Sequence, residues 1–91
     1  MGQTVKASHI LVKQQYEAED LLKALSEGKT FESLARKFSL CSSAELGGWL
    51  GDLSKHKVDP DFKKALLELK IDEVSYPIKT KFGYHLIRRE E

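Results

Sequence analysis

Two of the three histidines and the single cysteine are the residues of this chain best placed to do chemistry. His9 precedes the apolar run 10–12, His85 stands inside the apolar run 84–87, and Cys41 follows an amphipathic segment. Imidazole and thiol groups serve as acids, bases, nucleophiles and metal ligands. Each also has a structural interpretation: a hydrogen-bonded histidine beside a core strand, or a small buried cysteine. Their scattered positions lack the local spacing of a metal site, so we expect no metal and no cofactor.

Three segments with apolar residues at positions i, i+3, i+4 and i+7 predict amphipathic helices. They cover about residues 18–25, 31–38 and 62–69. Gly28 suits the stop after the first helix, and Thr30 suits the cap of the second. Asp59 and Pro60 predict the start of the third, with aspartate as N-cap and proline at the first helical position. Residues 39–43 break the period and are expected to form a loop or a short turn of helix.

Four shorter segments predict strands, at residues 10–12, 47–51, 74–78 and 84–87. Pro77 marks the third as an edge strand, because proline has no N–H to donate to a ladder. The turn at 80–83 pairs this strand with the fourth, so the fourth is interior, beside the wholly apolar first strand. The order β-α-α-β-α-β-β therefore predicts an α+β domain with a four-stranded antiparallel sheet flanked by helices. Strands 1 and 4 are central, which places His9 and His85 in the middle of one sheet.

Length and composition set the broad class. The 91 residues correspond to one domain over 1–91, with a core at about 6–89. The 15 basic and 14 acidic residues give a net charge of +1, which argues against a nucleic-acid partner, including an aromatic platform around Trp49. No apolar run is long enough to span a membrane, and no secretory signal is visible. A single cysteine can form no internal disulfide, which fits a reducing compartment, so we expect a cytoplasmic protein. We also expect it to be a monomer.

Several short motifs add specific information. They occur in a fixed order along the chain: SHILV at 8–12, FESLA at 31–35, FSLCSS at 38–43, GGWLG at 47–51, Phe62, and FGYHLI at 82–87. In this order and at these separations the set closely resembles the parvulin family of peptidyl-prolyl cis-trans isomerases. The resemblance runs from Lys6 to Arg89. It implies an enzyme that rotates X-Pro bonds in proline-containing peptides and unfolded or flexible protein segments.

The resemblance also implies roles for individual residues. The paired histidines of the parvulin site match His9 and His85, and the cysteine or aspartate beside the susceptible bond matches Cys41. The remaining site positions, which would bind substrate or support the histidines, match Ser42 or Ser43, Leu50, Val58, Asp59, Phe62 and Thr80. Leu50, Val58 and Phe62 form the pocket for the proline ring. Thr80 joins the hydrogen bonds of the histidines, and Asp59 falls where the family often has a substrate-contacting glutamine.

Some positions depart from the usual family pattern. Val58 replaces a pocket methionine, so the proline pocket is expected to be wider or shallower. Trp49 replaces a common acidic residue, and its loop is expected to help enclose the site. The link after the first strand, 13–16, is short and carries one lysine, whereas phosphate-directed parvulins have a long basic loop there. We therefore predict no phosphorylation requirement. We interpret Lys55 and Lys57 as solvated surface charges; the alternative is that they mildly favour an acidic residue before proline.

Two other function classes fit parts of the sequence. A peptide-binding or chaperone module could keep the fold with weak turnover, as the altered pocket residue Val58 would allow. A thiol hydrolase could use Cys41 with a histidine. The sequence shows no strand-to-helix turn presenting the nucleophile and no evident oxyanion donors, which disfavours the hydrolase.

Overall fold

The elements follow the predicted order in a computed structural model that describes residues 4–54 and 58–91. Four strands, three α-helices and a 3₁₀ turn alternate along the chain: β1 (Lys6–Val12), α1 (Gln15–Ser26), α2 (Phe31–Phe38), the 3₁₀ turn (Ser42–Leu46), β2 (Trp49–Asp52), α3 (Pro60–Glu68), β3 (Ile78–Thr80) and β4 (Gly83–Arg89). Lys55 and Lys57, interpreted from the sequence as surface charges with a substrate preference as the alternative, lie outside the described residues. Within the described ranges, no helix is long and apolar enough to cross a membrane.

The strands form one antiparallel sheet in the order β2-β1-β4-β3. The prediction that strands 1 and 4 are central is thus confirmed. The register of β1 against β4 places His9 opposite Ile87 and Leu11 opposite His85. Because side chains alternate between the faces of a strand, the two histidines project from the same face as diagonal neighbours.

The sheet separates two apolar clusters. On one face, Ile10, Val12 and Leu86 pack with buried side chains of α1 and α2. On the other, Ala7 and Ile87 pack with α3 and with the segment after β2, through Phe62, Leu66 and Leu53. The histidines project into this second face. One side of the sheet therefore serves mainly as core, while the other combines core with a site.

Local capping fixes where the helices begin and end. The Thr30 hydroxyl accepts the Ser33 N–H at 3.2 Å, and an Asp59 carboxylate oxygen accepts the Asp61 N–H at 2.9 Å, as predicted for the starts of α2 and α3. Gly28, just past the end of α1, has φ +103°, which favours glycine. Helix α1 begins earlier than its apolar period indicates, because Gln14 and Glu17 form a capping box around its first turn.

The predicted third strand is shorter than expected, and the first and fourth are longer. Regular β3 pairing covers only Ile78–Thr80, while Val74 makes a single bridge to Arg88. Pro77, between these two pairings, has no N–H to donate. The hydroxyl oxygen of Ser75 accepts a hydrogen bond from the N–H of Ile87 at 3.0 Å, in place of a strand carbonyl. Central strand β1 begins at Lys6, so His9 lies mid-strand rather than at its start.

Candidate functional site

The two histidines make direct contact across the central strands. His9 Nδ1 lies 3.0 Å from His85 Nδ1, and the rings are roughly parallel at 20°, with centroids 5.2 Å apart. The Phe62 ring of α3 meets both imidazoles edge to face, at 5.7 Å from His9 and 5.2 Å from His85. The predicted pairing of His9 with His85 is therefore present, with Phe62 packed against both rings.

Thr80 sets the direction of hydrogen bonding through the pair. Its Oγ1 accepts the N–H of Phe82 at 3.2 Å and lies 2.7 Å from His85 Nε2. We assign the Thr80 hydroxyl as donor to His85 Nε2, so the His85 proton is on Nδ1 and is donated to His9 Nδ1. His9 then carries its proton on Nε2, a buried atom without a hydrogen-bond partner in residues 4–54 and 58–91. Unpaired buried donors are uncommon in folded proteins, and this one belongs to a residue at the site.

Burial keeps both imidazoles neutral. Burial and, to a lesser extent, the neighbouring His85 together lower the pKa of His9 from 6.5 to about 4. Burial also lowers the pKa of His85, while the Asp59 carboxylate acts in the opposite direction. Burial lowers both pKa values because a charged imidazole is poorly solvated in the interior of the protein. A neutral His9 is what the bond between the two Nδ1 atoms requires, since its Nδ1 must accept the proton that His85 Nδ1 donates.

An apolar cavity of about 340 Å³ opens beside the histidines. Phe62, Leu50 and Val58, the three residues predicted to form the proline pocket, all line it, as do His9, His85, Cys41, Asp59, Leu11, Leu53 and Phe82. Asp59 is the only lining residue within the described ranges whose side chain is an acid or a strong base. The cavity therefore suits a small apolar group, held against neutral polar side chains.

The loop that carries Cys41 is brought to the sheet by backbone contacts. Gly48 donates its N–H to the carbonyl of Ser43 and accepts the N–H of His9, both at 2.9 Å. Gly48 has φ +89°, and a Cβ there would lie 2.5 Å from the carbonyl oxygen of His9. Only glycine allows so close an approach, which explains the second glycine of the pair before β2.

Comparison with known proteins identifies this arrangement. The family model for the rotamase, PPIC-type PPIASE domain, matches residues 7–91. The chain belongs to this family. Its sequence is 47% identical over 88 residues to the foldase protein PrsA of Bacillus subtilis, covering 96% of this chain and 30% of that protein. The chain thus spans less than a third of this relative's length.

Solved structures give the same result for this PPIC-type domain. The crystal structure of PrsA from Bacillus subtilis superposes with a TM-score of 0.93 at 45% identity, covering 97% of this chain and 35% of that one. The solution structure of NmPin, the parvulin of Nitrosopumilus maritimus, has a TM-score of 0.88 at 40% identity. That match covers 100% of this chain and 99% of NmPin, so a chain of this length occurs in the family.

Not every predicted site residue of the PPIC-type domain lines the cavity. Ser42 is exposed, and Ser43 is buried with its hydroxyl unpartnered by any described residue. Thr80 lies behind His85, as a support. Trp49, expected to help enclose the site, is not among the cavity-lining residues. A β-bulge pairs Trp49 with Ser8 and Gly51 with Ala7, so Leu50 is the extra residue and reaches the cavity instead.

Three lining residues were missed from the sequence: Leu11, Leu53 and Phe82. Leu11 could have been found, since it lies two positions from His9 and therefore on the same face of the strand. Leu53 and Phe82 carry no such signal. They are loop residues after β2 and before β4, and their apolar side chains have no period to follow.

Proposed function

We propose that this domain accelerates cis–trans rotation of X-Pro bonds in peptides and flexible protein segments, and thereby assists folding. The observation that carries the proposal is an apolar cavity of about 340 Å³ directly beside two neutral, hydrogen-bonded histidines and a thiol. A pyrrolidine ring is small and apolar enough for this cavity. The activity is the one that names the family to which the chain belongs.

The chemistry asked of such a site is modest. Conjugation of the amide gives a rotational barrier of ~18–20 kcal/mol. In the transition state the amide is twisted and has lost conjugation, but no bond to another atom has formed or broken. A catalyst therefore needs to bind the twisted amide better than either planar form.

The cavity supports this by fixing the ring and excluding water. Phe62 is buried at 5% exposure, and Leu50 and Val58 pack in the same apolar cluster. With the proline ring held there, rotation moves the preceding carbonyl rather than the ring. A planar conjugated amide is more polar than a twisted one, so a drier site raises the energy of the planar state relative to the transition state.

We assign Cys41 an electrostatic rather than a covalent role. Its half-buried side chain lines the cavity. A partly negative sulfur near the carbonyl disfavours the dipolar planar form. Aspartate at the matching position of some parvulins could have the same effect but is a poorer nucleophile toward an amide.

His9 and His85 act as supports in this proposal. Their Nδ1 atoms bond to each other and His85 Nε2 bonds to Thr80, so three of their four ring nitrogens are engaged within the protein. Rotation about an amide requires no net proton transfer. The pair, with Thr80, fixes the floor on which the proline ring and Phe62 rest.

We further propose that substrates need no phosphate before proline. Strand β1 ends at Val12 and α1 starts at Gln15, so the link between them is too short for a basic phosphate-binding loop. Within the described residues, the one formal charge lining the cavity is the carboxylate of Asp59, which repels phosphate. Both features favour uncharged or basic residues next to proline.

The remaining proposals concern domain content, oligomeric state, cellular location and partners. We propose a single domain over 1–91, acting as a monomer in the cytoplasm on unfolded protein segments, without nucleic-acid or membrane partners. The unpaired thiol of Cys41 suits a reducing compartment, and the edge strands β2 and β3 are short, which gives little template for strand pairing. Sedimentation of the purified chain tests the monomer. Fractionation of the source cells tests the location, and recovery in an exported fraction would overturn it.

The decisive experiment is exchange spectroscopy on a short X-Pro peptide. Adding the protein at a concentration far below that of the peptide should broaden the cis and trans signals or give exchange cross-peaks between them. Phe62→Ala should remove the effect, whereas Tyr16→Ala, on the exposed surface of α1, should not. Binding of the peptide without exchange would instead favour a chaperone module, the alternative that the smaller pocket residue Val58 suggests.

A further inference from the structure

Ser39 joins the Cys41 loop to the central strand of the sheet. Strand β2 covers the outer edge of β1 only as far as His9, whose N–H donates to the Gly48 carbonyl at 2.9 Å. Beyond that point, β1 continues through Leu11, and no strand among residues 4–54 and 58–91 pairs with it on that side. A central strand with bare N–H and C=O groups needs other partners.

Residues 39–41 supply them. The Leu11 carbonyl accepts the N–H of Leu40 at 2.8 Å, and the Leu11 N–H donates to the Ser39 hydroxyl oxygen at 3.0 Å. The same oxygen lies 3.4 Å from the N–H of Cys41, a second and longer hydrogen bond. The serine hydroxyl thus stands in for a missing strand carbonyl, and one atom connects the cavity-lining residues Leu11 and Cys41.

We propose that Ser39 is a positioning residue for Cys41. The inference rests on the proposed isomerase function, in which the Cys41 sulfur acts by its distance from the substrate carbonyl. Ser39 is itself held at the end of α2, where its N–H donates to Ala35 at 2.9 Å. Helix α2 and strand β1 therefore fix the Cys41 backbone together, and the sulfur needs no hydrogen bond of its own to stay in place.

The test compares Ser39→Ala with Thr30→Ala. Both remove a serine or threonine oxygen that accepts a backbone N–H at one end of α2, but Thr30 lies at the far end, exposed and away from Cys41. Three quantities are measured for each variant: the free energy of unfolding, kcat and KM for an X-Pro peptide, and the rate at which an aromatic disulfide reagent labels Cys41.

Both variants should lose stability, but only Ser39→Ala should lose function. We expect kcat to fall about 10- to 100-fold with KM nearly unchanged, because a displaced catalytic group costs rate more than binding. The Cys41 labelling rate should change in Ser39→Ala alone, and Ser39→Thr, which keeps the oxygen, should restore both readouts. If Ser39→Ala fails to fold, Ser39→Cys, with a weaker acceptor, gives the kcat comparison.

The outcomes separate the two proposals. Equal kcat and labelling rates in Ser39→Ala and Thr30→Ala, beside an active wild-type protein, would overturn the positioning role. An inactive wild-type protein would instead remove the isomerase function. The Cys41 labelling rate would then still show whether Ser39 holds the thiol.

Discussion

His9 Nδ1 lies 3.0 Å from His85 Nδ1, so the two central strands share one imidazole-to-imidazole hydrogen bond. Such a bond accommodates a single proton between the two nitrogens. With the His9 proton on Nε2, a second proton on this ring would go to Nδ1 and meet the Nδ1–H of His85. The site is therefore built for a neutral His9, and acid should disrupt it.

Stability should fall as the pH drops below the ordinary histidine pKa. The pKa of His9 is about 4 when folded and 6.5 when exposed, so the unfolded chain binds more protons between those values. The His9 contribution is fully present above about pH 6.5 and is lost as the pH falls toward about 4, at a cost of at most about 3 kcal/mol. His85 acts in the same direction.

Urea unfolding at several pH values measures this effect. The hydrogen bond from Arg88 lowers the pKa of Glu32, so protonation of this carboxylate also costs stability in acid. The quantity of interest is therefore the difference between wild type and His9→Gln. Wild type should lose more stability than the variant on acidification. Equal pH dependence in the two proteins would mean that His9 is not buried as a neutral group.

Isomerase activity should be flat from about pH 6 to about pH 9. Neither histidine transfers a proton to substrate in the proposed mechanism, and burial lowers the pKa of both below the ordinary value. The measurement is kcat/KM for an uncharged X-Pro peptide across that range. A bell-shaped profile centred near ~6.5 would assign a histidine to acid–base catalysis.

Cys41→Asp should keep most of the activity, whereas Cys41→Ala should lose about tenfold or more. A carboxylate preserves negative charge near the substrate carbonyl, and a methyl group does not. Rates of peptide exchange for the three proteins decide the matter. An inactive Cys41→Asp together with a trapped adduct of the wild-type Cys41 sulfur on the substrate carbonyl, with the C–N bond intact, would establish covalent catalysis instead.

A phosphoserine before proline should give no gain over glutamate at that position. The described part of the cavity contributes only the negative charge of Asp59, so both acidic peptides should react no faster than a leucine peptide. A series with phosphoserine, Glu, Leu and Lys before proline measures this preference. Asp59→Asn should reduce any advantage of Lys, and a strong preference for phosphoserine would refute the proposal.

The sequence by itself determined the elements and their order. Capping residues such as Thr30 and Asp59, and the 3.6-residue period of the helices, are signals carried by a few neighbouring residues, so they can be interpreted without knowing the fold. The central position of strands 1 and 4 followed from Pro77, which confines its strand to an edge. Short motifs around His9, Cys41 and His85 predicted the family.

Tertiary structure decided what lines the cavity. His9 and His85 are 76 positions apart, and only the register of β1 against β4 sets the distance between their rings. The bulge at Leu50 decides that this residue reaches the cavity while Trp49 does not line it, because one extra residue changes which side chains share a face. Leu53 and Phe82 enter from loops, whose side-chain directions depend on distant packing rather than on any local pattern.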